Sequence, residues 1–404
     1  MTYHFEALLK QDLTGKKVLV RVDLNVPMER GRVRDATRIE RHLPTLRALA
    51  EKGAIVIAIA HLGRPKGQYD PALSLAALVD PLAEMLGDFS VYYAPESVGP
   101  EAQAAINQRQ AGDIILLENL RFHAEEEANA PDFAKALAAL ADIYVNDAFS
   151  CSHRSHASTE GVARYLPAYA GQLMQQEITT LESLFTSAEK PIGAVVGGAK
   201  ISTKLSLLKQ LIRKVDHLII GGAMAHSFLV AQGHRVGTSL YEEDQLATAK
   251  EVLASAASHQ CEIHLPVDMV VTEKFGAGSP NIVVPIDAIP DDKMALDVGT
   301  ESLQRMANAL KQCKTVLWNG PLGAFEHSPF DASTIMLARS VAAMTRAGQM
   351  HSVAGGGDTT AALAHAGLME EFSYVSTAGG AFLEWLEGKA MPGIAALMEA
   401  NRAA

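Results

Sequence analysis

Short Val/Ile/Leu runs separated by helix-length segments set the strongest limit on what this chain can fold into. KVLVRVDLN (17–25), DATRIERHLPTLRALAEKG (35–53) and AIVIAIAHLG (54–63) follow one another in that order, and the pattern recurs along the sequence. A run apolar at successive positions and too short for a helix reads as a strand buried on both faces. Parallel neighbours of that kind need a helix-length crossover between them. The alternation therefore predicts an α/β fold, doubly wound, with mostly parallel sheets flanked by helices. No period of roughly 20–50 residues repeats with matching residues, which disfavours a solenoid. A chain of 404 residues also exceeds what one hydrophobic core usually serves, so two lobes are expected.

Ligands on such sheets gather at the carboxyl ends of the strands, and here those ends carry two chemistries. Through about residue 160 the runs finish in Arg or His, as in AIVIAIAHLGR, DIILLENLRF and DIYVNDAFSCSHR. After about residue 190 they finish in glycine, as in AVVGGAK, LIIGGAMA, VLWNGPLGAF, HSVAGGGD and YVSTAGG. Side-chain cations suit a small, multiply anionic substrate, whereas glycines let backbone N–H groups and helix N-termini close on phosphates. Phosphate chemistry shared between two lobes is the expectation.

Composition removes several other classes. Hydrophobic residues at 48% fill two cores, and charged residues at 20% give no sign of disorder. The net charge of −11 and the lack of a long Lys/Arg run argue against coating nucleic acid or an anionic membrane. The start, MTYHFEALLKQDLTGKK, has no signal-peptide pattern, and AIVIAIA falls far short of the ~20 residues of a membrane span. Three cysteines, Cys151, Cys261 and Cys313, are odd in number and unpaired in spacing, which fits a reducing cytoplasm.

GQLMQQEITTLESLFTSAEKP (171–191) places Leu173, Ile178, Leu181 and Leu184–Phe185 on roughly one helical face and stops at Pro191. It lies between the basic half and the glycine half. It reads as a helical connector able to act as a hinge, with an ordinary surface helix as the alternative.

In VRVDLNVP the residues Arg21, Asp23 and Asn25 alternate, so they share a face where the strand runs out. Arg38 follows at the start of a helix, then His61 and Arg64 in HLGRP, Arg121 in ENLRF and Arg154 in SCSHRSH. Any one arginine after a strand is usually a solvated surface residue. Five arginines and a histidine at successive parallel strand ends converge above one sheet edge, and such a cluster repels itself unless an anion occupies it. Cys151 near His153 and His156 also invites a nucleophile or metal reading, but a zinc site needs more ligands at suitable spacing.

In AVVGGAKISTKLSLL, Lys200 and Lys204 stand four apart after two glycines, on one face at the N-terminal end of a helix if the segment is helical. The Walker A spacing is absent. GGGDTT offers Gly355–Gly357 for close phosphate approach and Asp358 for Mg²⁺, or Asp358 as a simple helix cap. A carboxylate beside phosphate repels without a cation between them, so the nucleotide reading implies a metal. STAGGA (376–381) supplies another cradle, and WNGPLGAFE adds Asn319, Pro321 and Glu326, the last able to accept hydrogen bonds from a ribose. An intact dinucleotide fingerprint near the first strand is missing, which weakens a dehydrogenase reading.

VRVDLNVP, HLGRP, LLENLRF, NDAF with HRSH, VVGGAKISTK, WNGPLGAFE, GGGDT and STAGGAFLEWLEGK, in this order over nearly the whole chain, closely resemble the phosphoglycerate kinase family. The resemblance implies two Rossmann-like lobes closing about a helical hinge. It implies a phosphoglycerate-binding domain over 1–170, a hinge over 171–191 and a nucleotide-binding domain over 192–384. A C-terminal segment, 385–404, would return to the first domain. The implied activity is reversible transfer of a phosphoryl group between 1,3-bisphosphoglycerate and ADP, giving 3-phosphoglycerate and ATP with Mg²⁺, in a cytoplasmic monomer. By matching motif, Asp23, Asn25, Arg38, His61, Arg64, Arg121 and Arg154 would contact 3-phosphoglycerate. Lys204, Asn319, Pro321, Glu326, Gly356, Gly357, Asp358 and Thr359 would serve the nucleotide, with Asp358 toward the metal. Arg38, Lys200, Lys204, Gly379 and Gly380 would stabilise the transferring group. Two departures stand out: Ala60 where a serine commonly precedes HLGRP, and Ala378 in place of the first glycine of STGGGA. Alanine keeps its N–H donor but resists positive φ, which leaves the transfer loop's geometry as the open question.

Overall fold

A computed structural model describes residues 4–400, and its chain divides into two compact units. One takes in the chain up to Thr179 together with the segment from Lys389 onward, and the other runs from Thr180 to Gly388.

The first unit is built on strands β1 (Lys17–Arg21), β4 (Ile55–Ile59), β5 (Val91–Ala94), β6 (Ile114–Leu117), β7 (Ile143–Asn146) and β8 (Ala168–Ala170), with a small hairpin of β2 (Met28–Glu29) and β3 (Arg32–Val33). Their order is β5-β6-β4-β1-β7-β8, every pair parallel. The apolar runs are buried along their whole length in β4, β6 and β7, as strands covered on both faces must be. Val18, Val20, Val56, Ala58, Ile114 and Val145 form one side of a core that Ile39, Leu46 and Leu49 of the Thr37–Glu51 helix complete. Asp35 starts that helix by accepting hydrogen bonds from Thr37 N–H at 2.9 Å and Thr37 Oγ1 at 2.6 Å.

The second unit repeats the plan with β9 (Ile192–Val196), β10 (His217–Ile220), β11 (Glu262–His264), β15 (Thr315–Asn319), β16 (His351–Gly355) and β17 (Tyr374–Ser376). The order is β11-β10-β9-β15-β16-β17, again parallel throughout. It also carries an antiparallel sheet absent from the sequence reading, β13-β12-β14, made of β12 (Asp268–Thr272), β13 (Asn281–Pro285) and β14 (Met294–Val298). β12 and β13 form an antiparallel hairpin, and the chain then passes to the other side of β12 to add β14, so β12 is central.

Both sheets are α/β, and parallel order puts all carboxyl ends of a sheet along one edge. The connector is helical over Gln172–Thr186, with Leu173, Ile178, Leu181 and Leu184 buried as the spacing predicts. The side chain of Phe185 lies outside the described residues, as do residues 401–404 of the C-terminal segment. Near the end of the chain, the Pro392–Ala400 helix meets the first unit, where Gly393 N–H donates to Ser152 O at 2.9 Å. No helix among the described residues is long and apolar enough to cross a membrane.

Candidate active site

In the first unit the site is built where β1, β4, β6 and β7 end. β1 delivers Arg21 inward, not outward: the side chain is 1% exposed and every polar atom has a partner. Its Nε donates to Ser158 Oγ at 2.9 Å, Nη1 to Val22 O, and Nη2 to His61 Nδ1 at 2.8 Å. Ser158 in turn donates to the buried Glu126 carboxylate at 2.6 Å, so a buried cation and a buried acid are joined through one hydroxyl. A guanidinium can only donate, which makes His61 Nδ1 an acceptor and places the imidazole proton on Nε2. Burial, then the positive charge of Arg21, pushes His61 well below its ordinary value. His61 is therefore a neutral ring with one N–H to offer.

Asp23 and Asn25 gather Arg38. The Asp23 carboxylate accepts from Asn25 N–H at 3.0 Å, from Arg38 Nη1 at 3.1 Å and from Ser150 Oγ at 2.5 Å. Asn25 adds its carbonyl to Arg38 Nη1 at 3.2 Å, while its Oδ1 accepts from Gly63 N–H at 2.9 Å. Burial alone raises an acid, but the Arg38 guanidinium and these donors outweigh it and hold Asp23 down to about 2. Arg38 stays more than a third exposed, with room for another anion.

Arg121 is buried, donates from Nη1 to Gly63 O at 2.8 Å and pairs through Nε with Glu127 at 3.2 Å. Arg154 is half-buried and donates to His153 Nε2 at 3.1 Å, and Arg64 is exposed on the loop after β4. The cations along this edge repel one another. Burial first, then Arg121, Arg21 and Arg154, force His156 down to about 3. Burial, with Arg154 and Arg21 working against the partner Glu127, also lowers Arg121. Such an edge relaxes when an anion sits on it. Cys151 does not serve as a nucleophile here: burial raises its thiol, and its sulfur gathers with Asp23 and His61, not with His153 and His156.

The second unit presents glycine-bounded strand ends. Lys200 and Lys204 do not share a helix: the helix begins at Leu205, Lys204 is its N-cap and Lys200 lies in the preceding loop. The glycines and Ser202–Lys204 turn residues delay helical hydrogen bonding past both lysines. Lys204 instead reaches across to β15, donating to Asn319 Oδ1 at 2.6 Å, and Asn319 Nδ2 donates to Gly355 O at 2.6 Å. Burial lowers Lys204, while Asp358 and Glu387 favour its charge. Thr359 Oγ1 accepts from Gly320 N–H at 2.7 Å, tying β15 to the Gly357–His365 helix.

That helix starts at Gly356 with φ +103°, where a Cβ would stand 2.5 Å from Asn319 Nδ2. Asp358 is the second residue of the helix and not its N-cap; it is an exposed carboxylate in the first turn. The second cradle, at the start of the Gly380–Leu386 helix, answers the question raised by Ala378. The residue with positive φ is Gly379, at +57°, and Ala378 keeps ordinary φ with its N–H on Ser376 Oγ at 3.2 Å. Alanine is accommodated there without strain.

Beside these groups opens a cavity of about 420 Å³. Gly198, Pro321, Glu326 and Asp358 line it, as the motifs suggest, but so do Leu240, Phe275, Met294 and Leu296. These apolar walls escaped sequence reading because they come from an exposed loop and the antiparallel sheet, where no glycine signal marks them. Apolar walls with a few polar groups at one end suit a flat heterocycle attached to phosphates.

The sequence profile described as phosphoglycerate kinase matches residues 8–389. The chain belongs to the phosphoglycerate kinase family. It is 57% identical over 385 residues to the phosphoglycerate kinase of Methylorubrum extorquens (strain PA1), covering 95% of this chain and 96% of that one. Among solved structures, the phosphoglycerate kinase of Coxiella burnetii has a TM-score of 0.88 at 40% identity, covering 98% of each chain. That of Pyrococcus horikoshii OT3 has a TM-score of 0.84 at 29% identity over the full length of both. Family membership accounts for both halves of the pattern: arginines gathered at the strand ends of one unit, and N–H donors, a lysine and a nucleoside-sized cavity in the other.

Proposed function

We propose that this phosphoglycerate kinase family member transfers the γ-phosphoryl group of MgATP to the carboxylate of 3-phosphoglycerate, and runs the reverse transfer from 1,3-bisphosphoglycerate to ADP. The observation that carries the reading is the division of charge. The first unit holds Arg38, Arg121, Arg154 and a neutral His61 around one sheet edge, and the second holds Lys204 against Asn319 and beside Gly198, which lines a nucleoside-sized cavity.

A carboxylate acceptor is ionised near neutral pH, its reference value being about 3.5, so the reaction needs no general base. The site supplies none: His61 and His156 are pushed far below neutrality, and the donors are cations and N–H groups. The difficulty is repulsion between two anions, and the work is to neutralise charge, align the reactants and keep water from the acyl phosphate. His61, Arg64, Arg121 and Arg154 take the substrate's own phosphate, and Asp23 and Asn25 orient its hydroxyl and carboxylate. Arg38 and Lys204 meet the group in flight, with Lys200 and the Gly379–Gly380 N–H groups beside them. Asn319, Pro321, Glu326, Gly356, Gly357 and Thr359 hold the nucleotide.

Magnesium arrives with the nucleotide. An exposed carboxylate oxygen at Asp358 is the hard donor type that Mg²⁺ takes, so the residue fits the ion. Bound there, the ion would neutralise phosphate charge.

Residues assigned to the two substrates fall in different units, so direct in-line transfer requires the units to bring their ligands together. Solution scattering should show compaction with both substrates and little with either alone. The reaction itself is tested by mixing protein, 3-phosphoglycerate and MgATP and trapping acyl phosphate as the hydroxamate. Product dependent on both substrates is expected. Binding of both without product would leave a nucleotide-responsive binding protein instead.

A further inference from the structure

The second unit's parallel sheet ends on β11, a short edge strand whose Glu262 and His264 are two residues apart and so share a face. Alongside it β10 opens with His217, paired opposite Glu262. The three side chains converge. His217 Nδ1 lies 3.1 Å from His264 Nε2 and 3.4 Å from Glu262 Oε2, and His264 Nε2 lies 3.9 Å from Glu262 Oε1. Phosphoryl transfer uses none of them. His217 stands at the amino end of β10, whose other end leads to Gly221 and Gly222, and only Gly222 lines the nucleotide cavity.

We propose that His217, Glu262 and His264 form a binding site for a divalent transition-metal ion such as Zn²⁺, clipping edge strand β11 to β10. Two nitrogens on one zinc at about 2.0–2.1 Å in a tetrahedron stand roughly 3.3 Å apart, and a nitrogen and a carboxylate oxygen stand about as far. The 3.1 and 3.4 Å separations match that spacing. Glu262 is 65% exposed and can close the remaining 3.9 Å gap by rotation. Two imidazoles with one carboxylate select zinc, nickel or copper over magnesium, which prefers oxygen donors. The ligands sit on hydrogen-bonded strands, so the ladder fixes their spacing before the ion arrives. Three protein ligands leave a fourth position for water.

The test uses the full chain, stripped with chelator and free of nucleotide, titrated with ZnCl₂ and separately with MgCl₂. One zinc equivalent and a raised melting temperature are expected in the wild type. Both should be lost in His217→Ala and His264→Ala, with circular dichroism and kinase turnover unchanged. Glu262→Gln should weaken binding, and magnesium should do neither. Anomalous diffraction at the zinc edge should place the ion among the three side chains. Absence of binding would reduce the cluster to a hydrogen-bonded pair of histidines and overturn the proposal. So would binding that survives both histidine substitutions, which would move the ion elsewhere, for instance to Asp23, His61 and Cys151.

Discussion

Replacing Asp23 by asparagine keeps the side chain's size and removes its charge, which isolates what that charge contributes. The carboxylate is buried and held from an ordinary 3.8 down to about 2, because Arg38, Ser150 Oγ and the Asn25 N–H outweigh the cost of burial. At about 1.4 kcal/mol per pH unit, that lowering corresponds to about 2 kcal/mol of stability at pH 7. The folded value is depressed, so the contribution is complete above the unfolded value and is lost as pH falls through the folded one; about half remains near pH 3. Urea unfolding of wild type and Asp23→Asn, followed by far-ultraviolet circular dichroism from pH 7 to 3, reads this directly. Both tryptophans, Trp318 and Trp385, belong to the second unit, so their fluorescence reports that unit separately. The expected result is a gap of about 2 kcal/mol at pH 7 that narrows below pH 4. A gap under about 0.5 kcal/mol at pH 7, or one that stays constant down to pH 3, would refute the assignment of the charge to this network.

Other consequences are equally checkable. Nitrogen-15 NMR should find His61 neutral with its proton on Nε2 from pH 5.5 to 8, because Arg21 occupies Nδ1; a titration centred near 6.5 would contradict that environment. Gly356→Ala drives a Cβ into Asn319, which holds Lys204, so kcat should fall at least tenfold while 3-phosphoglycerate binding by calorimetry is retained. Leu240 is 56% exposed yet lines the cavity, so Leu240→Asp should weaken ATP binding with the melting temperature of the free protein unchanged.

Much of this fold could be read before any coordinates, because buried parallel strands leave a plain mark. The runs at 55–59, 114–117, 192–196 and 315–319 are buried throughout and mostly apolar, with the candidate site residues at or just beyond their ends. The antiparallel sheet was not legible, since its strands sit among Gly, Pro and Asp turns and alternate only weakly. The partners of side chains were less legible. Arg21 and Asp23 are two apart and, as that spacing implies, both reach His61 and Cys151, but only the structure shows that Arg21 gives its donors to the interior while Asp23 also holds Arg38. Lys200 and Lys204 carry a helical spacing in a segment whose turn residues postpone the helix until Leu205. Spacing constrains side chains only once the backbone state is known, and at the ends of strands and helices it is local competition for hydrogen bonds that decides it.

The central claim is that Arg38 and Lys204, from different units, meet the same phosphoryl group. Its most direct test is the kcat of Arg38→Ala and Lys204→Ala with saturating 3-phosphoglycerate and MgATP, after circular dichroism has shown both variants folded. A cation that stabilises charge in flight contributes roughly 10³–10⁵ in rate, and losses of that order in both variants, with smaller changes in KM, are expected. Turnover within a few-fold of wild type in either variant would contradict the claim.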